Sequence, residues 1–380
     1  MAQSNWFVFA GGGTGGHLFP ALSVAQSLRQ RDPSCEISFF CTQKQIDRDL
    51  LGAAGIDAVP QSVLPFPAKP WLWPTFLLRW VQSVRFCVNQ FSQRRPTAVI
   101  GAGGYASGPP VRAAARLSIP TFLLNPDAVP GRANRHMAAK VGKIRKVFAQ
   151  WAVTRSYFPS TVSIEVTGCP VRPGFREAAT LEAGPLRASF GLDPDRPTLL
   201  VTGASQGART INEAMRPLAS VVASAGWQVL HLSGPADASR VEQSYAAVGS
   251  GSSGGSGLKY KVLPFTDRMP QAMAASDLII SRAGASTLSE IQAVGRPSIL
   301  LPYPYGDRHQ RYNAKVLVDA GAAASIDDQK DPTANAAHLG PILASLMTDT
   351  QCRADMAQAV RRLDCPDAAD RIASHLLDTI

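Results

Sequence analysis

Trp6-Phe7-Val8-Phe9-Ala10-Gly11-Gly12-Gly13-Thr14-Gly15-Gly16-His17 is the stretch from which the fold of this 380-residue chain is read. An apolar run ends in five glycines within six positions, and Leu18, Phe19, Leu22, Val24, Ala25 and Leu28 then recur at helical spacing, with Pro20 suited to a first turn. Glycine lets the backbone take positive φ and lets a bulky polar ligand approach the N–H groups. Strand, glycine turn and helix N-terminus together make an anion site, because the first-turn amides are unpaired and the helix dipole points at them.

One such turn is weak evidence, but the chain makes two more. Thr97 to Ile100 reads as a buried strand, followed by Gly101-Ala102-Gly103-Gly104-Tyr105-Ala106-Ser107-Gly108-Pro109 and a helix through Leu117. Thr198 to Val201 is a strand, Gly203-Ala204-Ser205-Gln206-Gly207-Ala208 its turn and Arg209 to Val222 its helix. Two halves that start the same way predict an α/β fold of two doubly wound, Rossmann-like domains with glycine turns at the strand ends. The boundary is expected at Gly168, where Gly168-Cys169-Pro170-Val171-Arg172-Pro173 brings a Pro and Gly cluster, giving domains 1–168 and 169–361. Helices are expected near 334–347, 352–363 and 366–377, the last returning to cover the first domain. Gly249 to Gly257, only Gly and Ser, reads as a surface loop.

Charge separates the halves. The net charge of +10 is concentrated in residues 1–168, which hold 18 Lys and Arg against 7 Asp and Glu. The first domain therefore expects an anionic partner, an acidic membrane face or a phosphorylated substrate; no recognition motif accompanies the charge, so nucleic acid is not expected. No run of 18 apolar residues and no secretory signal is evident, and six scattered cysteines form no C-x-x-C pair, which points to reduced cytosolic thiols. Trp71, Trp73 and Trp80 lie among Phe76, Leu77 and other apolar residues, interleaved with Lys69 and Arg79, in a helix expected to start near Pro74. This pattern fits an element that dips into a headgroup layer, and equally a core helix with tryptophans filling volume.

Several chemistries are disfavoured. The second strand ends in Cys41-Thr42-Gln43 rather than the acidic residue of an NAD site, no Walker lysine follows a glycine turn, and no Asp-x-Asp suggests a metal-held sugar nucleotide. The second half instead offers a nucleotide-diphosphate site without metal. Its turns at Gly203 to Ala208 and Gly284 to Thr287 can present amides and hydroxyls to phosphate oxygens. Arg172 could neutralise a leaving diphosphate, or be a surface hinge charge. Glu290, one turn into its helix, could accept both ribose hydroxyls, or be an exposed helix carboxylate.

Gly12-Gly13-Thr14-Gly15-Gly16-His17, Gly103 to Pro109, Ser205-Gln206-Gly207-Ala208, Ala283 to Glu290 and His309-Gln310-Arg311-Tyr312-Asn313-Ala314 together resemble the MurG family, in order over nearly the whole chain. The resemblance implies the GT-B architecture and an inverting transfer of N-acetylglucosamine from UDP-N-acetylglucosamine to the 4-hydroxyl of undecaprenyl-pyrophosphoryl muramyl pentapeptide. It places the reaction on the cytoplasmic face of the membrane, with no cofactor required, in company with other cell-wall synthesis proteins. It puts the acceptor's pyrophosphate on Gly13, Thr14, Gly15, Gly16, Gly104, Tyr105 and Ser107. It puts the donor on Arg172, Ser205, Gln206, Ala285, Ser286, Thr287 and Glu290, with uracil at Phe265 and Thr266 and the sugar at His309, Gln310 and Asn313.

A displacement at the anomeric carbon needs a base for the acceptor hydroxyl. His17 is the first choice, because a helix N-terminus disfavours the imidazolium and keeps the ring neutral; its other role is to hydrogen-bond the acceptor without proton transfer. Two departures stand out. The family's His-Glu-Gln-Asn after the strand ending at Leu124 is replaced by Leu124-Asn125-Pro126-Asp127, and its Gly-Asn-Pro-Val-Arg hinge reads Gly-Cys-Pro-Val-Arg here. Asp127 is accordingly a second choice of base. Two further readings stay open: a UDP-sugar transferase with a different membrane lipid acceptor, and a UDP-binding membrane scaffold without turnover.

Overall fold

The computed structural model describes residues 4–13, 15–141, 143–203, 207–249, 257–305 and 309–379. Thr14, Ser205, Gln206 and most of the Gly and Ser loop lie outside the described residues. The chain divides into two compact units, Met1–Arg172 with Cys365–Ile380, and Pro173–Asp364.

The first unit is a seven-stranded parallel sheet. Its strands are β1 (Trp6–Ala10), β2 (Glu36–Cys41), β3 (Asp57–Pro60), β4 (Ala98–Gly101), β5 (Thr121–Asn125), β6 (Ile144–Ala149) and β7 (Ile164–Val166), in the order β3-β2-β1-β4-β5-β6-β7. Helices α1 (Gly15–Arg31), α2 (Gln45–Ala53), α3 (Trp73–Gln93), α4 (Gly108–Arg116) and α5 (Arg132–His136) cross between them. All of β1 is buried, and its side chains divide by the two-residue period of a strand: Phe7 and Phe9 join Leu18, Val24 and Leu28 of α1, while Val8 and Ala10 join Phe91 of α3 and Val111 of α4. The C-terminal helix Ala368–Leu377 completes the α1 layer with Ile372, Ala373 and Leu376, and Ser27 donates to Asp370 at 2.5 Å.

The second unit repeats the plan with β8 (Thr198–Thr202), β9 (Gln228–Leu232), β10 (Lys259–Leu263), β11 (Leu278–Ser281), β12 (Ser298–Leu300) and β13 (Ala323–Ser325), parallel in the order β10-β9-β8-β11-β12-β13. Its helices are α6 (Gly174–Ala179), α7 (Ala183–Ser189), α8 (Arg209–Ser224), α9 (Ala238–Gly249), α10 (Met269–Ala274), α11 (Ala285–Val294), α12 (His309–Asp319), α13 (Pro332–Thr348) and α14 (Thr350–Arg362). Ile211, Met215 and Leu218 of α8 pack with Leu339, Leu343 and Leu346 of α13 over the sheet. Asp331 caps α13, accepting from the amides of Thr333 and Ala334 at 2.7 and 3.1 Å, with Pro332 opening the helix.

In each unit the strand order reverses once, between β1 and β4 and between β8 and β11. Ligands of open α/β sheets settle at that reversal, outside the carboxyl ends of the strands. Four of the segments singled out in the sequence fall there: the turns after β1, β4, β8 and β11.

Candidate active site

In the first unit the two glycine turns close around His17. Helix α1 begins at Gly15, so His17 lies in its first turn. Gly103 has φ +100°, and a Cβ there would stand 2.9 Å from His17 Nδ1; at Gly104 it would stand 3.5 Å from His17 Cδ2 and 3.0 Å from the Gly12 carbonyl. The imidazole therefore lies against the bare backbone of the second turn. Gly12 is equally constrained, since with φ +131° its Cβ would meet the Asp47 carboxylate at 2.4 Å. Both Asp47 oxygens accept from the Gly13 amide at 2.9 Å, and Lys44 Nζ donates to the Gly13 carbonyl at 3.1 Å.

The remaining residues expected on this side divide by exposure. Gly15 and Gly16 open α1 and Tyr105 is half-buried. Burial raises the Tyr105 phenol above its ordinary value, against a hydrogen bond with Thr42 that lowers it. Ser107 is fully buried, and its hydroxyl donates to the Gly104 carbonyl at 2.7 Å. A short hydroxyl one turn into a tight loop closes on its own backbone, so Ser107 shapes the second turn from within. Asp127 follows β5 and is half-buried; its carbonyl accepts from Asn125 Nδ2 at 2.7 Å, while Asn134 Nδ2 donates to the Asn125 side chain at 3.1 Å. The departing stretch Leu124 to Asp127, the end of β5 and the start of the loop after it, is thus braced at the same strand ends. Arg172 lies with its guanidinium 4.1 Å from the ring centre of Phe19, within the first unit.

Helix α3 has two characters. Ser83, Val84, Cys87 and Phe91 in its second half are buried, whereas Trp71 just before it and Trp73, Leu77 and Leu78 in its first half are exposed, Trp71 by 70%. Phe66 meets both Trp73 and Phe76, and Phe76 meets Trp80, with ring centres 5.2–6.2 Å apart. Trp80 is half-buried, filling the space where a Cβ on Gly108 would lie 2.5 Å from its ring. Lys69 stands 5.4 Å from the Trp71 ring and Arg79 is exposed. The second half of the helix is thus a core element, whereas the first half leaves its aromatic face exposed. Among the described residues no helix is long and apolar enough to cross a membrane.

In the second unit the turn after β11 carries Ala285, Ser286 and Thr287 in the first turn of α11, with Glu290 half-buried one turn further on. Helix α12 reaches back to it. Gln310 Oε1 accepts from the amides of Ala283 and Tyr303 at 3.2 and 2.9 Å, and buried Asn313 donates to the Ala283 carbonyl at 3.2 Å. Gln310 thereby directs its amide nitrogen toward Gly284, 3.9 Å from the position of a Cβ there. His309 begins α12 and is half-buried. After β10, Phe265 is 63% exposed and Thr266 accepts from the Arg268 amide at 3.0 Å.

The sequence reading missed what fixes these turns. Arg282, between β11 and its turn, donates to Asp328 at 2.7 Å, to the Leu301 carbonyl at 3.0 Å and to Thr210 of α8 at 2.8 Å. Asp328 also accepts from Thr210 at 2.5 Å and Asn335 at 2.9 Å. Burial raises its carboxyl, but the hydrogen bonds from Thr210, Asn335 and Arg282 outweigh this and leave it below its ordinary value. A second network lies beneath α8: His231, fully buried, is 2.8 Å from the Tyr245 hydroxyl and 3.0 Å from Asn212 Oδ1, and Asn212 donates to the Ser233 carbonyl at 2.8 Å. Burial holds the His231 imidazole down to about 3, so it is neutral.

Comparison with known proteins follows this division. Residues 7–145 match the glycosyltransferase family 28 N-terminal domain and residues 198–372 the glycosyltransferase family 28 C-terminal domain. The UDP-N-acetylglucosamine N-acetylmuramyl-(pentapeptide) pyrophosphoryl-undecaprenol N-acetylglucosamine transferase of Clavibacter michiganensis is 36% identical over 98% of this chain and 96% of its own. The enzyme of the same name from Bacillus subtilis is 31% identical over 97% of each. A crystal structure of Acinetobacter baumannii MurG superposes with a TM-score of 0.75 at 25% identity, covering 99% of this chain and 100% of that one.

Proposed function

The chain belongs to glycosyltransferase family 28 and within it to the MurG family of N-acetylglucosaminyltransferases, and we propose that it moves N-acetylglucosamine from UDP-N-acetylglucosamine to the 4-hydroxyl of undecaprenyl-pyrophosphoryl muramyl pentapeptide, converting lipid I to lipid II. The observation that carries this reading is the full-length likeness to named transferases of that reaction, joined to four loops at the two strand-order reversals.

The second unit takes the donor. The amides and hydroxyls of Ser286 and Thr287 at the start of α11 face phosphate oxygens, Glu290 takes the ribose hydroxyls, and the backbone at Phe265 and Thr266 meets uracil. Gln310, whose orientation is set by the Ala283 and Tyr303 amides, reads the sugar together with His309 and Asn313. The first unit takes the acceptor against its glycine turns. His17 accepts the proton of the 4-hydroxyl as that oxygen attacks C1 from the face opposite the diphosphate. The C1–O bond to UDP breaks as the new one forms, inverting the anomeric centre, and Arg172 and the helix N-termini stabilise the departing diphosphate. The apolar face of Trp71, Trp73, Leu77 and Leu78, with Lys69 and Arg79 beside it, rests in the cytoplasmic leaflet; anionic headgroups suit the basic surplus of this half.

The test is UDP release from UDP-N-acetylglucosamine by the purified protein, with and without a lipid I analogue, in EDTA. Release that depends on the analogue and survives EDTA is expected. Under the same conditions His17→Ala should lower turnover roughly 10²–10⁴-fold, and an effect confined to acceptor affinity would remove His17 as base and leave Asp127. The loop Leu124 to Asp127 favours one second reading, a transferase with a different membrane lipid acceptor. UDP binding without release in the presence of the analogue would select it.

A further inference from the structure

Asp47 is a fully buried carboxylate, and its partners are parts of the acceptor side. It stands in the first turns of α2, 34 residues from the glycine turn it touches. Its two oxygens take the Gly13 amide at 2.9 Å, the Thr42 amide at 3.1 Å and the Thr42 hydroxyl at 2.5 Å. The Gly13 peptide is held at its other end too, by Lys44 on its carbonyl, and the Lys44 amide in turn donates to Thr42 Oγ1 at 3.2 Å. Tyr105 of the second glycine turn lies beside the same peptide, its ring 3.8 Å from where a Gly13 Cβ would be.

This arrangement changes what the first turn is for. In a nucleotide-binding glycine turn the amides are left for phosphate. Here the Gly13 amide is committed to a carboxylate of the chain itself, and a second anion cannot share it without strong like-charge repulsion. We propose that Asp47 is the positioning residue of the acceptor side: its carboxylate fixes Thr42 and Gly13, the peptide beside which the Tyr105 ring of the second turn lies, and so sets where His17 is presented. This rests on the reading of the first unit as the acceptor side. Carboxylate chemistry is needed because one side chain must accept from three donors at once, which an amide oxygen with two lone pairs and an adjacent NH2 cannot do.

The experiment compares Asp47→Asn, Asp47→Ala and Asp47→Glu with the wild-type chain. Three quantities are read: turnover on UDP-N-acetylglucosamine with a lipid I analogue, UDP affinity by calorimetry, and the His17 imidazole resonances in protein carrying labelled histidine, assigned with His17→Gln. Misplacement of a reacting group by about 1 Å costs on the order of 10²-fold in rate. Asp47→Asn and Asp47→Ala should therefore lose roughly 10²-fold in kcat, with UDP affinity within about twofold of wild type and the His17 signals moved. Asp47→Glu, which keeps the carboxylate, should recover most of the loss. Wild-type kcat in Asp47→Asn, an Asp47→Glu variant no better than Asp47→Asn, or UDP affinity falling in step with turnover overturns the proposal. If the wild-type chain binds UDP but does not act on the analogue, the reading of the acceptor has failed instead; the His17 signals then decide for Asp47, and signals identical in Asp47→Asn and wild type overturn it.

Discussion

Replacing Asp328 with alanine is expected to destabilise the second unit by an amount the geometry bounds. The Asp328 side chain has no exposed surface and the Arg282 side chain is 11% exposed, so the pair is desolvated. Removing one partner of such a pair costs about 3–5 kcal/mol, mostly because the survivor is left buried without compensation. Arg282 would keep the Leu301 carbonyl at 3.0 Å and Thr210 at 2.8 Å, which places the expected cost at the lower end, about 3 kcal/mol. At about 2–4 °C per kcal/mol for a unit of this size, the midpoint of thermal unfolding should fall by about 6–12 °C. Scanning calorimetry is the assay. The double variant Arg282→Met with Asp328→Leu, which leaves no orphaned charge, should recover much of the loss. A fall below about 2 °C in Asp328→Ala, or a double variant that sums the two single losses, would refute the account of a buried, mutually dependent pair. The pH dependence has a defined sign. Because the folded carboxyl lies below its ordinary value, its stabilisation is complete above the ordinary carboxylate range and is lost as pH falls through the lowered folded value.

Three further outcomes follow from the same structure. Gly103→Ala places a methyl group 2.9 Å from His17 Nδ1 on a backbone with φ +100°, and should lower turnover by about 10–10²-fold while leaving UDP affinity unchanged; normal turnover would show that His17 does not work from this seat. His231 is held neutral down to about 3 by burial and regains its ordinary value when unfolded, so it stabilises fully above that value and loses its contribution as pH falls from there toward 3. Thermal midpoints of His231→Gln should therefore change less than those of wild type between about pH 6 and pH 4, and parallel slopes would refute this. Leu77→Glu, at a residue 56% exposed on the first half of α3, should weaken sedimentation with anionic phospholipid vesicles by at least about tenfold without altering thermal stability. Unchanged sedimentation would move the membrane contact elsewhere.

Much of the fold was legible because its signals are local. A glycine turn between an apolar run and a helical period is written in adjacent residues, so the ends of β1, β4, β8 and β11 could be marked from the chain alone, together with Glu290, Gln310 and Asn313 through the family resemblance. Strand β9 was not marked, because Gln228 and His231 interrupt its apolar run, although both are fully buried and hydrogen-bonded in the fold. The short strands β3, β7 and β13 carry too few residues for their period to show. Helix α3 was ambiguous for a different reason: an apolar aromatic face reads alike whether it meets a core or a bilayer, and only packing separated its buried second half from its exposed first half.

The sequence by itself determined the α/β class, the doubled plan and the family, since periodicity and turn chemistry depend on near neighbours in the chain. Tertiary structure alone decided what holds the site. Asp47 sits in the ordinary helix start Gln45-Ile46-Asp47-Arg48-Asp49, and nothing in that run tells it from the exposed Asp49 two residues on. Ser107 carries a hydroxyl that serves a ligand or its own turn equally well until burial closes it against Gly104. Arg282 finds Asp328 46 residues away, and Asp47 finds Gly13 across 34. A buried charge is specified by the partner that folding brings to it, and that partner is set by the parallel order of the strands rather than by the residues on either side.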